Sequence, residues 1–504
     1  MNRTSTVESS PLRSDQSLQH ALHRLWTDHV FWTREYLVSA IADTPDVHAA
    51  ANRLLKNQED IGNAIVPIYG EAAGAALTDL LKQHILIAVD LVAAAKVGDN
   101  ERFAAEDEKW NRNAVDIAVL LASANPNWDK RDIHDLVAQH LELTRKEAVA
   151  RLTKDWAADI AAYDDIMTEI MTLADSLSSG IVKQFPERFV TSPGTSSSHA
   201  SDSAAWNLRL ALDRLWADHA MYTRNYIVAG LAGAEETQVA AERLLKNQED
   251  IGNAIVPFYG ETAGAGLTEL LKQHILIAAE MVGMAHRQEF GERFDELERS
   301  WNVNAAHIAG YLNALNPYWS VKDVQDLLAQ HLSLTEREVQ ARYEQDWETD
   351  VQLFDDILTE ILTMSGALAA GLIRQFPERF QPSEEDRVPQ PRQSYRQPTH
   401  GYRVTEPSHS YRVREPASER RIPQPAPARR AGSSSDEYRS ARPAQEGRPQ
   451  RAETGERMEA PRPPQPTRSA QRTEPERGQM TTWRTTTRLA SAFREFVVPK
   501  RHDG

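Results

Sequence analysis

At 504 residues the chain exceeds what one hydrophobic core usually serves, so two or more domains are expected. An apolar share of 41% suffices for burial, yet a mean hydropathy of -0.55 requires some segment far more polar than a globular domain. The absence of cysteine excludes disulfides, thiolate metal sites and cysteine nucleophiles.

The formal charge of -16 is unevenly placed: residues 381–504 carry 24 Lys and Arg against 16 Asp and Glu, which leaves 33 against 57 in residues 1–380. A body this acidic repels nucleic acid, and any attraction to an anionic partner is expected in the basic tail. No run approaches the roughly 18 to 20 apolar residues of a membrane span, and the opening MNRTSTVESSPLRSDQ lacks the apolar core of a signal peptide. A cytoplasmic protein with no transmembrane segment is the expectation.

Self-similarity organises the body. RLLKNQEDIGNAIVP occupies Arg53 to Pro67 and again Arg243 to Pro257, while LLKQHILIA recurs at Leu80 and Leu270. The offset is 190 there and 191 for AQHL at Ala138 and Ala329, so one residue was gained near Lys96 to Asn100, where a loop accepts it cheaply. The predicted organisation is a disordered start over 1–17, a helical bundle over 18–189, a linker over 190–204, a second bundle over 205–380 and a disordered tail over 381–504. The intervening TSPGTSSSHASDSAA has Ser, Thr, Pro and Gly that suit a flexible connection.

Each copy reads as six helices without a strand, an all-α fold. In the first helix, about 18–42, Leu18, Leu22, Leu25, His29, Trp32 and Tyr36 share one face, as do Leu208, Leu212, Leu215, His219, Tyr222 and Tyr226. Thr44 and Pro45 open a second helix expected to stop before Pro67, and a third runs from about Glu71 to Val97. The fourth spans about Asn100 to Ala124 and ends before Asn125 and Pro126, since the residue before proline resists the helical region. Asp129 with Asp132 predicts a short fifth helix. Capping boxes at Thr144 to Glu147 and Thr335 to Glu338 predict the start of a sixth helix of about 40 residues, reaching Gln184 in the first copy. Four long and two short helices predict an antiparallel four-helix bundle with two helices at its side.

The Trp and His run of the first helix, the YGE opening the third, LLKQH, W-x-x-N, NPxW and QFP resemble an uncharacterised bacterial family of helical proteins found as single or doubled units. The resemblance covers about residues 18–189 and 208–380. It implies the domain reading and carries no activity or catalytic residue with it.

The histidines are the most pointed candidates. His29, His84 and His140 sit at core spacing, and His219, His274 and His331 match them in the second copy. Asn113 and Asn304 add a polar seam position, and Asp159 and Asp350 lie near the seam of the sixth helix. One reading makes the imidazoles, with Asp159 and Asp350, ligands of a transition metal held between helices. The other has each histidine spend its nitrogens on hydrogen bonds to Asn113, a Trp, an Asp or a backbone carbonyl. No Glu-x-x-His and no histidine pair at i, i+4 on the predicted helices supports the first, so no cofactor is expected ahead of a metal.

KNQED at Lys56 to Asp60 and at Lys246 to Asp250 fits either a shared binding surface or recent duplication. Arg34 is expected to pair with Glu59 and Asp60, and Arg224 with Glu249 and Asp250. No phosphate-binding glycine loop, G-x-S-x-G elbow or kinase set occurs; close helix packing accounts for Gly70, Gly74, Gly264 and Gly266.

The tail holds 17 of the 26 prolines and few aliphatic residues, so it cannot offset its ordering entropy. HGYRVTEP at His400 recurs as HSYRVREP at His409, presenting Tyr402, Arg403, Tyr411 and Arg412 as candidate contacts for a protein partner or an anionic polymer. Trp483, Leu489, Phe493 and Phe496 form an apolar set within 483–497, read as a short amphipathic helix that folds on a partner groove or an anionic membrane surface. A non-enzymatic interaction protein is the leading expectation. A metal-binding bundle with redox or ligand-carrying chemistry is the alternative.

Overall fold

The computed structural model describes residues 15–189 and 199–380. Tyr402, Arg403, Tyr411, Arg412, Trp483, Leu489, Phe493 and Phe496 therefore lie outside the described residues, as does the whole segment 381–504. Twelve α-helices and no strand occur among the described residues, so the fold is all-α. They are α1 (Asp15–Ala42), α2 (Val47–Tyr69), α3 (Glu71–Val97), α4 (Asn100–Ala124), α5 (Lys130–Leu152) and α6 (Trp156–Gln184). Then follow α7 (His199–Ala232), α8 (Thr237–Tyr259), α9 (Glu261–His286), α10 (Glu292–Leu315), α11 (Val321–Tyr343) and α12 (Trp347–Gln375).

Short polar caps set many of the boundaries. Asp99 accepts from the Arg102 N–H at 3.0 Å, Asp129 from Arg131 at 2.8 Å, and Asp155 from Ala158 at 3.1 Å. Three expectations are corrected. α2 continues through Pro67 to Tyr69, because Ile65 is buried, Ile68 and Tyr69 pack on the core, and Arg188 donates to the Pro67 carbonyl at 3.2 Å. The fifth helix is not short. Thr144 lies inside α5, its hydroxyl donating to the His140 carbonyl at 2.9 Å instead of capping, and α6 starts only at Trp156, with Asp155 as its cap. All twelve helices span 23 to 34 residues, so the expected split into four long and two short helices fails. The third correction concerns the linker, since α7 begins at His199 within it.

Each helix from α1 to α6 packs on the next, and α6 returns to α1; α7 to α12 repeat these pairings. Several recurrent motifs tie one end together. Tyr69 donates to Gln184 at 2.8 Å, Asn125 donates to the Tyr69 hydroxyl at 2.9 Å, and Gln184 donates to the Ala124 carbonyl at 3.0 Å. Trp128 donates to the Ser176 carbonyl at 3.2 Å and lies so close to α6 that a Cβ on Gly180 would come within 2.0 Å of its Nε1. Trp319 and Gly371 repeat that approach at 2.0 Å. Gly180→Ala is therefore expected to cost about 1 to 3 kcal/mol through overpacking, measured by urea denaturation.

α12 has the length and composition to cross a membrane, but 56% of its apolar stretch is buried in the fold. Its Asp350 and Glu360 are hydrogen-bonded inside, as suits a core helix.

Contacts across the two sequence copies come from α1 with α7, α2 with α12, and α6 with α8. Several of them are reciprocal. Arg53 grips Asp355 through two hydrogen bonds of 2.7 and 3.0 Å, and the matching Arg243 grips Asp164 through two of 2.9 and 3.0 Å. Arg151 pairs with Glu236, and its counterpart Arg342 pairs with Asp46, the counterpart of Glu236. Phe31 stacks on Phe354 at 4.3 Å between centroids, and the matching Met221 sulfur accepts from Tyr163 at 3.3 Å. A surface that meets its own counterpart in this way is isologous, the form taken by two-fold symmetric dimers.

Candidate functional site

Two buried charge clusters stand behind that interface. Arg34 donates to Glu147 at 2.6 Å and to Asp159 at 2.8 and 3.1 Å, and Arg151 donates to Asp159 at 2.7 Å. In the second copy Arg224 holds Glu338 at 2.5 Å and Asp350 at 2.7 and 2.8 Å, Arg342 holds Asp350 at 2.7 Å, and Arg224 also reaches Glu35 at 2.9 Å. Arg34 and Arg224 thus do not pair with the acids of KNQED as expected. Asp159 and Asp350 belong to these clusters and are withdrawn as metal ligands: two guanidinium groups occupy each carboxylate. Burial, with Asp159 and Asp350 beside them, raises Glu147 and Glu338 above the ordinary carboxyl range, against the pull of the arginines.

KNQED is divided between interior and surface. Asn57 and Gln58 are fully buried, Asn57 donating to the Leu25 carbonyl at 2.9 Å and Gln58 to the Leu54 carbonyl at 2.8 Å. Lys56 pairs with Asp60 at 2.5 Å, and Glu59 with Lys82 at 2.6 Å, on the outside.

The histidines converge as their register predicts. Ring centroids lie 5.4 Å apart for His29 and His140, 6.4 Å for His29 and His84, and 6.3 Å for His84 and His140. His219 and His331 stand 5.6 Å apart, and His274 lines the same cavity. Asn113 donates to the Leu80 carbonyl at 3.0 Å, which turns its oxygen toward His84 Nδ1 at 3.0 Å. His84 Nδ1 is therefore the donor, and Nε2 keeps its lone pair. Asn304 orients His274 likewise at 2.9 Å.

His140 and His331 each place Nδ1 3.2 Å from a buried glutamate, Glu169 and Glu360, partners that the sequence reading missed. Both acids sit at core register in their helices, between Ile166 and Leu173 and between Ile357 and Met364, which is the signal that could have found them. Among the described residues no three His, Asp or Glu groups stand in a metal-holding arrangement.

Burial first, then the neighbouring imidazoles, holds His29 and His219 well below the usual range and pushes His84 and His274 down to about 3. An unfolded chain binds protons at these four sites near pH 6.5 whereas the folded one does not, so their contribution is complete above that pH and is lost as pH falls. Glu147, Glu338 and Glu336, with raised folded values, act oppositely and stabilise as pH drops toward 4.5. The two sets nearly offset between those values. Below about pH 4.5 the histidine loss continues, at up to about 1.4 kcal/mol per unit for each imidazole, and Asp46, Asp175 and Asp213, held below the ordinary carboxyl range by their partners, add to it. Denaturation at a series of pH values should show stability nearly level from neutrality to mild acid and falling steeply thereafter. A level profile into strong acid would contradict buried neutral imidazoles.

Around the second trio lies a cavity of about 390 Å³, lined among others by Trp301, Tyr226, Glu298 and Glu336. The matching space of the first copy measures about 60 Å³. Among the differences between the two linings, one reverses a charge. In the first copy Arg145 lays its guanidinium 5.3 Å from the Trp110 centroid and donates to Asp107 at 2.7 Å and Asn111 at 3.1 Å. Offset by 191, Glu336 stands where Arg145 would be and Glu298 where Asp107 would be. Burial and the Glu298 carboxylate push Glu336 up to about 7, and burial and Asp295 raise Glu298 despite Arg299. The sequence reading missed this pair, although aligning the two copies exposes the reversal of charge.

The chain matches no protein-family model, no curated protein and no solved structure.

Proposed function

We propose that the chain is a non-enzymatic interaction protein: two tandem six-helix units clasped into one platform, with residues 381–504 as a tether for a protein or anionic partner. The observation that carries this reading is the reciprocity of the cross-copy contacts. Arg53 with Asp355 and Arg243 with Asp164, Arg151 with Glu236 and Arg342 with Asp46, use the same surface twice. Such a clasp resists relative motion of the units, as a rigid platform requires. The interior charges are consumed by one another, which leaves little for acid–base chemistry at those positions.

Cosedimentation with anionic vesicles, comparing the full chain with residues 1–380 at low and physiological salt, tests the tether. Binding lost with the tail and weakened by salt supports it. Equal sedimentation of both forms contradicts an anionic role for the tail. Removing residues 480–504 should leave melting unchanged while reducing capture.

A second reading, a metal-binding helical bundle, is favoured by the convergence of His29, His84 and His140, with His84 Nδ1 held by Asn113 and His140 Nδ1 beside Glu169. Outer partners of that kind orient the imidazoles of metal sites. Elemental analysis of the purified chain separates the readings, since about two equivalents of a transition metal would favour the second.

A further inference from the structure

We propose that the cavity of the second copy binds a small organic cation, a guanidinium or primary ammonium on an apolar body, whose charged head takes the place Arg145 holds in the first copy. This inference is independent of the platform reading. The first copy acts as an internal control, because it shows how the same helices behave when a cation is supplied by the chain. There the guanidinium lies over Trp110, bonds Asp107 and occupies space that is open in the second copy.

In the second copy Trp301 keeps its place, 5.1 Å from His274 as Trp110 is 5.2 Å from His84. The acid keeps its place as Glu298. Only the cation is replaced, by a second carboxyl, Glu336. Two half-buried carboxyls beside each other favour a positive guest, which relieves their repulsion as it binds. The Trp301 ring adds attraction for a cation out of bulk water. Among the described residues no Lys or Arg forms an ion pair with Glu298 or Glu336; Arg299 only tempers Glu298, and Arg337 lines the cavity as an exposed side chain.

The rest of the lining selects the body of the guest. Ile227, Leu244, Ile275 and Val282 give apolar walls, and the imidazoles of His219 and His274 are kept neutral by burial, so nothing deep in the cavity repels a hydrocarbon tail. A volume of about 390 Å³ lies within the range of small-molecule sites. An apolar cavity with charge only at one side fits a cation carrying an alkyl or aryl group better than an inorganic ion.

The full chain should be titrated calorimetrically with n-butylguanidine, with phenethylamine and with uncharged 2-phenylethanol, following tryptophan fluorescence in parallel. One saturable site per chain is expected for at least one of the cations, with the alcohol at least about tenfold weaker. Glu336→Arg restores the first copy's residue; it should reduce cation binding by about tenfold or more while melting no lower than the parent. Arg145→Glu should open a second site and double the stoichiometry. If that variant fails to fold, Glu336→Arg alone decides. Absence of saturable cation binding, equal binding of the alcohol, or undiminished binding by Glu336→Arg would each overturn the assignment.

Discussion

Arg224→Ala is expected to destabilise the chain by about 3 to 5 kcal/mol, because it leaves Glu35, Glu338 and Asp350 buried without the cation they share. Arg224 is 2% exposed, so water cannot take over the role of the guanidinium without opening the interior. The cost belongs to breaking the cluster and not to its net worth. Replacing Arg224, Glu338 and Asp350 together by apolar residues of similar volume should recover much of the loss, since a packed apolar core competes well with a buried ion cluster. Urea denaturation of the single and triple variants measures both. A single variant as stable as the parent would mean that the carboxylates are protonated or hydrated in the fold.

A first copy expressed alone, residues 1–197, is expected to form a symmetric homodimer. Arg53, Arg151 and Phe31, which reach across to the second copy, each have a complementary partner within their own copy's surface. Arg53 would meet Asp164 of a second molecule as Arg243 meets Asp164 here, and Arg151 would meet Asp46 as Arg342 does. Phe31 would face Tyr163, the counterpart of Phe354. As a monomer it would expose Phe31, Tyr163 and the guanidinium groups of Arg53 and Arg151, which are buried or nearly so in the full chain. Sedimentation analysis should give a dimer that Arg53→Asp disrupts, because the substitution sets two acids against each other. A stable monomer would show that the cross-copy surface contributes little.

Much of the architecture follows from local pattern. The seam through Leu18, Leu22, His29 and Trp32 is buried as its spacing predicts and its register brings His29, His84 and His140 together, but α1 is enclosed on every side from Trp26 to Trp32, which the seam did not foretell. Asn113 was readable as a partner of His84 because it shares a seam with Trp110. The end of α5 was not readable, because Thr144 to Glu147 satisfies the pattern of a capping box while both residues serve the interior of an uninterrupted helix. Nor were the partners of Arg34 and Arg224: burial in a cluster depends on α5 and α6 meeting α1, a tertiary fact with no short-range signature. The cavity has no short-range signature either. Glu336 looks like an ordinary surface glutamate until it is set against Arg145.

Calorimetric unfolding of the full chain tests most directly whether the two copies behave as one body. If the reciprocal ion pairs and the Phe31–Phe354 stack couple them, the chain should melt in one transition whose calorimetric and van't Hoff enthalpies agree. Two resolved transitions, or a calorimetric enthalpy about twice the van't Hoff value, would show units that unfold independently and would contradict the clasped platform.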